Sequence, residues 1–343
     1  MKRGKVFSLV WVIIGTFIGA GFASGKEIAT YFARFGFFSI VLAIIAGFLF
    51  YVFMKNCLMI GKNMGQGKYV YKKCFGKFAG IIKILIIIAT FITIGSMIAG
   101  AYEIFGIFFP SEVIVIFLFI LMLLVGIIVI KNYPMILKVN SLLIPALLGS
   151  IFMVCIVFLF GLDFDIMVER VSYFQGFSSL IAYVSFNMLS TGVFLIEIGE
   201  KYEENEINQA SLISSGIITF FIILAGCSIY ICGGDIIESS LPLVSLALNS
   251  SRLLGILMIG VVFIGLTTSL ISDVFVLSVY GERFCKNKIL LVGAILILGY
   301  IISLLGFSFI VINLYAMLGG LGILFLITVL ITTMRQKSNK KSL

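Results

Sequence analysis

Apolar residues run through this chain in long blocks, with no strand-like alternation, and short polar segments rich in lysine separate them. A helix that crosses a hydrocarbon layer of about 30 Å needs about 20 apolar residues. That rule predicts ten spans, approximately 6–31, 37–60, 80–103, 112–131, 139–161, 176–198, 209–232, 253–280, 288–307 and 309–333. The last two emerge from one stretch, 289–334, that runs almost without a charge. As a single helix that stretch would be roughly 69 Å long, more than two bilayer cores. It must fold back, and Gly306-Phe307-Ser308 is the expected turn.

The basic residues orient these spans, because cytoplasmic loops accumulate lysine and arginine. With the N-terminus inside, 20 of the 24 basic residues fall on the inner side, concentrated in Lys62–Lys77 and Arg335–Lys341. Only Lys26, Arg34, Arg170 and Arg252 fall in the outer half, where Glu112, Asp163, Asp165, Glu169, Asp235 and Glu238 are found instead. Both termini are therefore expected in the cytoplasm. The formal net charge of +9 reads as a topology signal and not as a nucleic-acid surface; contact with anionic lipid follows from it. Lys2-Arg3-Gly4-Lys5 before an apolar run superficially matches a signal peptide, but the run is long for that role, so an uncleaved first span is expected. The acidic segment Glu200–Glu206 reads as a solvated loop.

Composition narrows the chemistry. The chain is 62% hydrophobic and 11% charged over 343 residues, against about 25% charged in soluble domains. It reads as one transmembrane domain over 1–343. There is no histidine, which removes the usual general base and the commonest metal ligand. The six cysteines, 57, 74, 155, 227, 232 and 285, lack CxxC spacing and read as buried free thiols. With no metal cluster and no nucleophile–base pair, an enzyme is not expected, and neither is an organic cofactor. A channel is disfavoured because no ring of charge or repeated filter is visible.

The most informative segment is Gly15-Thr-Phe-Ile-Gly-Ala-Gly-Phe-Ala-Ser-Gly25, inside the first span. Gly15/Gly19 and Gly21/Gly25 fit close helix packing of the GxxxG type. Packing alone does not account for Thr16 and Ser24, nor for a second interruption, Phe186-Asn-Met-Leu-Ser-Thr-Gly192, in the sixth span. Irregular backbone at membrane depth is tolerated only where it is buried in protein or lines a cavity. Paired interruptions in two halves point to a transporter's binding site. Ten spans divide into sets of five, so the second set, approximately 176–333, is expected to invert the first, approximately 6–161. The eighth span adds Thr267, Thr268 and Ser269 at mid-membrane. Such hydroxyls commonly bond their own helix; with unwound carbonyls they also form the oxygen set that a hard cation takes.

The first-span segment resembles the unwound first helix of the LeuT-type sodium-coupled amino-acid transporters, and Phe263–Ser269 resembles part of their eighth helix. Over the whole chain, the opening Phe7–Tyr31 pattern is most similar to the YkvI-like amino-acid permeases, a bacterial branch of the same APC superfamily. The resemblance implies an all-α polytopic fold with a 5+5 inverted repeat and discontinuous helices 1 and 6. It implies a bacterial plasma-membrane location. The activity implied is secondary transport of a small zwitterion such as an amino acid, with spans 1, 2, 6 and 7 rocking against the rest. A sodium ion would meet the carbonyls matching Gly15, Ile18 and Ile264 and the hydroxyls matching Thr267 and Thr268.

The same resemblance brings the substrate carboxylate to the N–H groups of Ala20 and Gly21, beside Phe17. Phe186, Asn187 and Thr191 of the sixth span and Thr93 or Ser96 of the third would face it. Phe22 stands where the LeuT-type carriers place an asparagine of a second sodium site, which puts a second ion in doubt. No lysine occurs within the fifth span, where proton-coupled relatives can place one, so sodium is favoured over protons. Arg3 and Glu282 match an inner-gate pair. Asp273 is costly at its depth; it reads as a proton relay or as a partner for an inner base. Glu27, next to Lys26, reads as half of a solvated pair at the outer mouth. The rival to transport is a ligand-sensing receptor subunit of the same fold, as in spore-germinant receptors.

The topology has a direct check. In a background without native cysteines, a cysteine at Lys72 is expected to resist an impermeant thiol reagent in intact cells, and one at Glu112 or Asp165 to react. External labelling at Lys72 would contradict the inside-N-terminus arrangement.

Overall fold

The computed structural model describes the backbone of residues 2–64, 76, 79–131, 136–160, 172–282 and 285–341, and the side chains of all of these except 2–3, 136–143 and 337–341. Every regular element among the described residues is helical. The first apolar block yields three pieces: α1 (Lys2–Phe17), α2 (Ala20–Ser24) and α3 (Lys26–Tyr31). A 3-10 turn, Ala33–Phe35, leads into α4 (Phe38–Met64). Then come α5 (Ala79–Gly106), α6 (Ser111–Ile130), α7 (Ile136–Phe160) and α8 (Tyr173–Ile198). After them α9 (Glu204–Cys232) precedes two short helices, α10 (Gly234–Glu238) and α11 (Pro242–Ser250). The chain closes with α12 (Arg252–Gly281), α13 (Lys288–Ser303), a π-helical turn Ile310–Leu314 and α14 (Tyr315–Lys341).

Seven helices among the described residues are long and apolar enough to cross a membrane, and Gly4–Phe17, Ile144–Phe160 and Lys288–Ser303 are apolar but shorter. Large apolar side chains such as Ile116, Phe119 and Leu123 on α6 stand exposed, as a lipid-facing surface requires. The chain is a multi-pass membrane protein. The reversal before the last helix falls at Gly306, whose φ of 85° suits glycine because the left-handed region carries no Cβ penalty there.

Local sequence sets several helix starts. Asn287 Oδ1 accepts from the N–H groups of Ile289 at 3.1 Å and Leu290 at 3.2 Å, capping α13. At α9 the side chains of Glu203 and Glu206 form a reciprocal capping box, and the Glu203 N–H donates to Glu206 Oε2 at 2.9 Å. Glu206 is thereby buried. Most of the segment 200–206 is solvent-exposed, as expected from its charge, while Glu204–Glu206 form the first turn of α9 and Glu206 alone is buried.

The sixth span departs more clearly from expectation. Instead of breaking at Phe186–Gly192, α8 is helical throughout. Its polar side chains turn back on their own helix: Asn187 Nδ2 donates to the Tyr183 carbonyl at 3.1 Å, and Ser190 Oγ to the Asn187 carbonyl at 3.0 Å. Gly192 serves packing, because a Cβ there would press on the Phe325 ring at 2.7 Å and Cys57 Sγ at 3.2 Å.

Helix pairing divides the molecule. α8 packs against α4 and α14, while α9 packs against α4 and α1. A second group joins α5 to α12 and α13, with α12 also on α7 and α11. Small residues make the α8 contacts close. A Cβ at Gly61 of α4 would strike the Ile196 carbonyl of α8, and one at Gly199 would strike the Leu58 carbonyl of α4. Gly319 and Gly322 of α14 stand likewise against the Ala182 and Ser185 carbonyls. In lipid, where apolar burial does not drive helices together, such backbone proximity supplies the packing.

The main-chain contact between α4 and α8 predicts opposite outcomes for two glycines. Gly61→Val is expected to abolish monodisperse protein in detergent, since backbone cannot yield. Gly216→Ala on α9, where a Cβ meets nothing within 4 Å, is expected to be neutral or to stabilise by up to about 1 kcal/mol through helix propensity. Size-exclusion profiles and thermal melts of the two variants check this.

Candidate functional site

The break in the first span has a simple local cause. Glycine costs roughly 1 kcal/mol relative to alanine in a helix interior, and four occur within Gly15–Gly25. The backbone ladder runs as far as Ile18 N–H to the Ile14 carbonyl at 2.9 Å, and resumes with Ala23 N–H to the Gly19 carbonyl at 3.0 Å. Gly19 between them is extended, with φ −102° and ψ −169°. No backbone N–H among the described residues returns to the Gly15 or Ile18 carbonyl. A second break follows at Gly25, left-handed with φ 82°, where Ser24 Oγ receives the Lys26 N–H at 3.3 Å.

At the first break lies a cavity of about 30 Å³ lined by Gly15, Ile18, Gly19 and Ala23 of the first span, by Ile144 and Leu147 of α7, and by Val261, Gly265, Thr268 and Ser269 of α12. This is room for one water-sized guest. Among the lining residues, Gly15 and Ile18 carry carbonyls without backbone donors, and Thr268 and Ser269 carry hydroxyls. Thr268 Oγ1 donates to its own helix, at the Gly265 carbonyl, over 3.1 Å; a hydroxyl that donates keeps its lone pairs for a cation. The eighth-helix residues at the cavity are thus Gly265, Thr268 and Ser269, one position on from the expected Ile264, Thr267 and Thr268. Ile264 is exposed, and Thr267 Oγ1 bonds the Phe263 carbonyl at 2.8 Å. Only Thr268 belongs to both sets. Three consecutive hydroxyls left the helix rotation undetermined.

Outward of the cavity the polar groups are buried and aromatic rings surround them. Phe17 lies against Phe50 at 4.7 Å, Phe22 at 6.1 Å and Tyr183 at 6.3 Å between ring centroids. Tyr183 also meets Phe32 at 5.0 Å and Tyr31 at 5.4 Å. Phe186 stacks on Tyr315 at 4.2 Å. Within this cluster Ala20 and Gly21 are buried in α2.

The space that a Gly21 side chain would fill is occupied by the Glu27 carboxyl. Glu27 is only 3% exposed and its Oε2 has no hydrogen-bond partner. The Tyr183 phenol faces this carboxyl, yet its oxygen completes no hydrogen bond either. The expected solvated Lys26–Glu27 pair is therefore absent. Lys26 Nζ points elsewhere, donating to the carbonyls of Glu238 at 3.0 Å and Ser239 at 2.8 Å, beside the Glu103 carboxyl. The signal in the sequence was an acid within an apolar span, where a charge costs on the order of 3 kcal/mol; its adjacency to lysine masked it.

The remaining candidates divide between two places. Ser96 is fully buried beside Tyr315, within the aromatic cluster. Thr191 Oγ1 donates to the Thr16 carbonyl at 3.4 Å, tying α8 to the end of α1. Thr93, expected at the substrate, donates to Asp273 Oδ2 at 2.7 Å, so Asp273 is partnered from α5, and no described basic side chain is paired with it. Glu282 is exposed at the end of α12; the Arg3 side chain, its expected partner, lies outside the described residues. Gly265 and Ser269, which the sequence places beside the expected ligands without counting them among those ligands, line the cavity; Tyr31, Tyr183 and Tyr315 around Glu27 gave no signal in the sequence. No group of three or more acids, cysteines or histidines among the described residues could hold a metal.

The comparisons with known proteins match this architecture. No family profile matches the chain. It is 23% identical over 339 residues to the uncharacterized membrane protein YkvI of Bacillus subtilis, covering 95% of each chain. Its fold is similar to that of Mhp1 solved in an inward-facing conformation, with a TM-score of 0.65 and 14% identity over 92% of this chain and 73% of that one. The chain shares the Mhp1 fold and is similar to YkvI along nearly its whole length.

Proposed function

We propose that this protein is a secondary transporter of a small organic solute, amino acids being the class that the sequence resemblance implies, and that it works by alternating access with sodium as the coupling ion. The ten apolar helices would form two inverted sets of five with both termini in the cytoplasm. The observation that carries the reading is the cavity at the Ile18–Gly19 break, where free carbonyls of the first span meet Thr268 and Ser269 of α12. A hard cation takes such oxygens without a carboxylate in the membrane, and broken helices at mid-membrane are where secondary transporters hold their ions. The shared fold with Mhp1, a protein solved in an inward-facing conformation, supports an alternating-access reading for this chain.

Two features bear on a moving mechanism. The helices α1, α4, α8 and α9 pack on one another, as α5, α12 and α13 do, with α14 packed on α8 and α7 bridging α9 and α12; rocking of the first set would require the α8–α14 and α9–α7 contacts to slide. On the inner side of the break Thr16 and Ser190 are exposed, while outward of it Ser24, Lys26, Glu27, Ile28 and Tyr31 are buried. With the N-terminus inside, that pattern fits a state open to the cytoplasm and closed to the exterior.

Sodium linkage tests the ion and its ligands together. A ligand that binds only the folded state raises the melting temperature with concentration. Sodium is expected to stabilise purified wild-type protein over choline at equal ionic strength. Thr268→Val and Ser269→Ala are expected to raise the half-maximal sodium concentration roughly tenfold or more, the scale for losing a contact to a charge. Thr267→Val, off the cavity, is expected to titrate as wild type. An unaltered titration in Thr268→Val would show that this hydroxyl serves only its own helix.

A further inference from the structure

The Gly21 N–H is where the sequence resemblance brings a substrate carboxylate, and the structure sets a carboxyl of its own, that of Glu27, against the same residue, where a Gly21 side chain would stand. A second carboxylate there would meet like charge, which is strongly unfavourable at short range in a dry interior. Glu27 lacks what a buried acid ordinarily has, a cation. The charged and titratable groups around it are Tyr31 on its own helix, Tyr183 on α8 and Tyr315 on α14, none of them cationic. Lys26 is committed to the Glu238 and Ser239 carbonyls, and Glu103 and Glu238 flank that lysine rather than Glu27. Asp273, within electrostatic reach of Tyr315, is another acid. Among the described residues the centre of the molecule thus holds acid in excess of base.

The walls of the site suit a cation as well. Rings of Phe17, Tyr31 and Tyr183 crowd the same space, and their faces attract an ammonium group electrostatically. Tyr31 is held in place, its hydroxyl donating to the Val311 carbonyl at 3.1 Å. The Tyr183 hydroxyl and the Glu27 carboxyl face each other without forming a well-aligned hydrogen bond, and Glu27 Oε2 is buried without another partner, so an N–H donor reaching Glu27 Oε2 would satisfy it. Buried polar atoms left without partners call for such an explanation.

We propose that Glu27 is the counter-charge for an ammonium group of the transported solute, which makes the solute an organic amine or an amino acid held by its amino end. This deepens the transporter reading and rests on it, but it concerns a different site from the sodium cavity. It reverses the expected orientation: the solute's cation faces Glu27, and no solute carboxylate lies on Gly21.

The test uses full-length purified protein at a fixed, saturating sodium concentration. The probes are n-butylammonium and phenethylammonium chlorides, with 1-butanol and 2-phenylethanol as uncharged counterparts. Ammonium probes are expected to raise the melting temperature saturably in wild type, and the alcohols are not. Glu27→Gln is expected to weaken the ammonium response by roughly thirtyfold or more, the fold-change that loss of a buried charge partner produces. Glu27→Asp, which keeps the charge, is expected to recover part of it. A retained sodium shift in Glu27→Gln shows that the fold and the cavity survive, so failure here is separable from failure of the sodium reading. If Glu27→Gln does not fold, the wild-type contrast of ammonium against alcohol decides alone. Equal responses to amine and alcohol, no response to any ammonium probe, or an undiminished response in Glu27→Gln would overturn the proposal.

Discussion

Everything at the centre of this protein depends on one backbone constraint. Hydrocarbon offers no partner to a peptide group, so a helix may stop inside the membrane only where something else satisfies or uses its ends. The first span stops at Phe17, and the carbonyls of Gly15 and Ile18 are left without backbone donors. What surrounds them follows from that: a small cavity, two hydroxyls on α12, and a hydrogen bond from Thr191 to the Thr16 carbonyl. The second break, at left-handed Gly25, turns α3 back on α2, so that Glu27 lies against Gly21. A continuous helix would have placed those residues six positions apart along one rod, more than a turn from each other.

Glycine serves two separate purposes in reaching this arrangement. At Gly25, with φ 82°, it permits backbone that other residues resist. At Gly61, Gly199, Gly319 and Gly322 it permits helices to meet at their main chains. The second use holds α8 firmly between α4 and α14. An unbroken α8 presents Tyr183, Phe186 and Thr191 to the break in the first span as one rigid face. The two-sided symmetry expected of paired broken helices is thus absent here: the first span supplies the irregular backbone, and the sixth supplies a straight wall.

How much of this could be read from the residues depended on whether periodicity or rotation was the deciding quantity. The long apolar blocks made the helices legible, because span length is set by bilayer thickness and needs no tertiary information. The Gly15–Gly25 break was legible for the same kind of reason, since four glycines weaken a helix wherever they occur. Gly192 misled, because a glycine that packs and a glycine that unwinds look alike until the neighbouring Phe325 ring is placed. The α12 residues lining the cavity, Gly265, Thr268 and Ser269, fall one position after the set the resemblance implies. Spacing shows a run of adjacent hydroxyls, but only packing shows which way the helix is turned. Glu27 was hidden by Lys26, because adjacent opposite charges suggest a pair, whereas successive residues on a helix point about 100° apart.

The two proposed cation sites lie at the two breaks of the first span: sodium at the carbonyls and hydroxyls of the first, and an ammonium group at Glu27 beyond the second. The sodium site is the one that depends directly on the first span being open at Ile18–Gly19. Equilibrium binding of radioactive sodium to the purified protein, measured without any solute, tests that dependence at its source. One saturable class of sites is expected, displaced by unlabelled sodium and lost in the Thr268→Val, Ser269→Ala double variant. Absence of saturable binding, or equal binding by the double variant, would contradict a sodium site at the break.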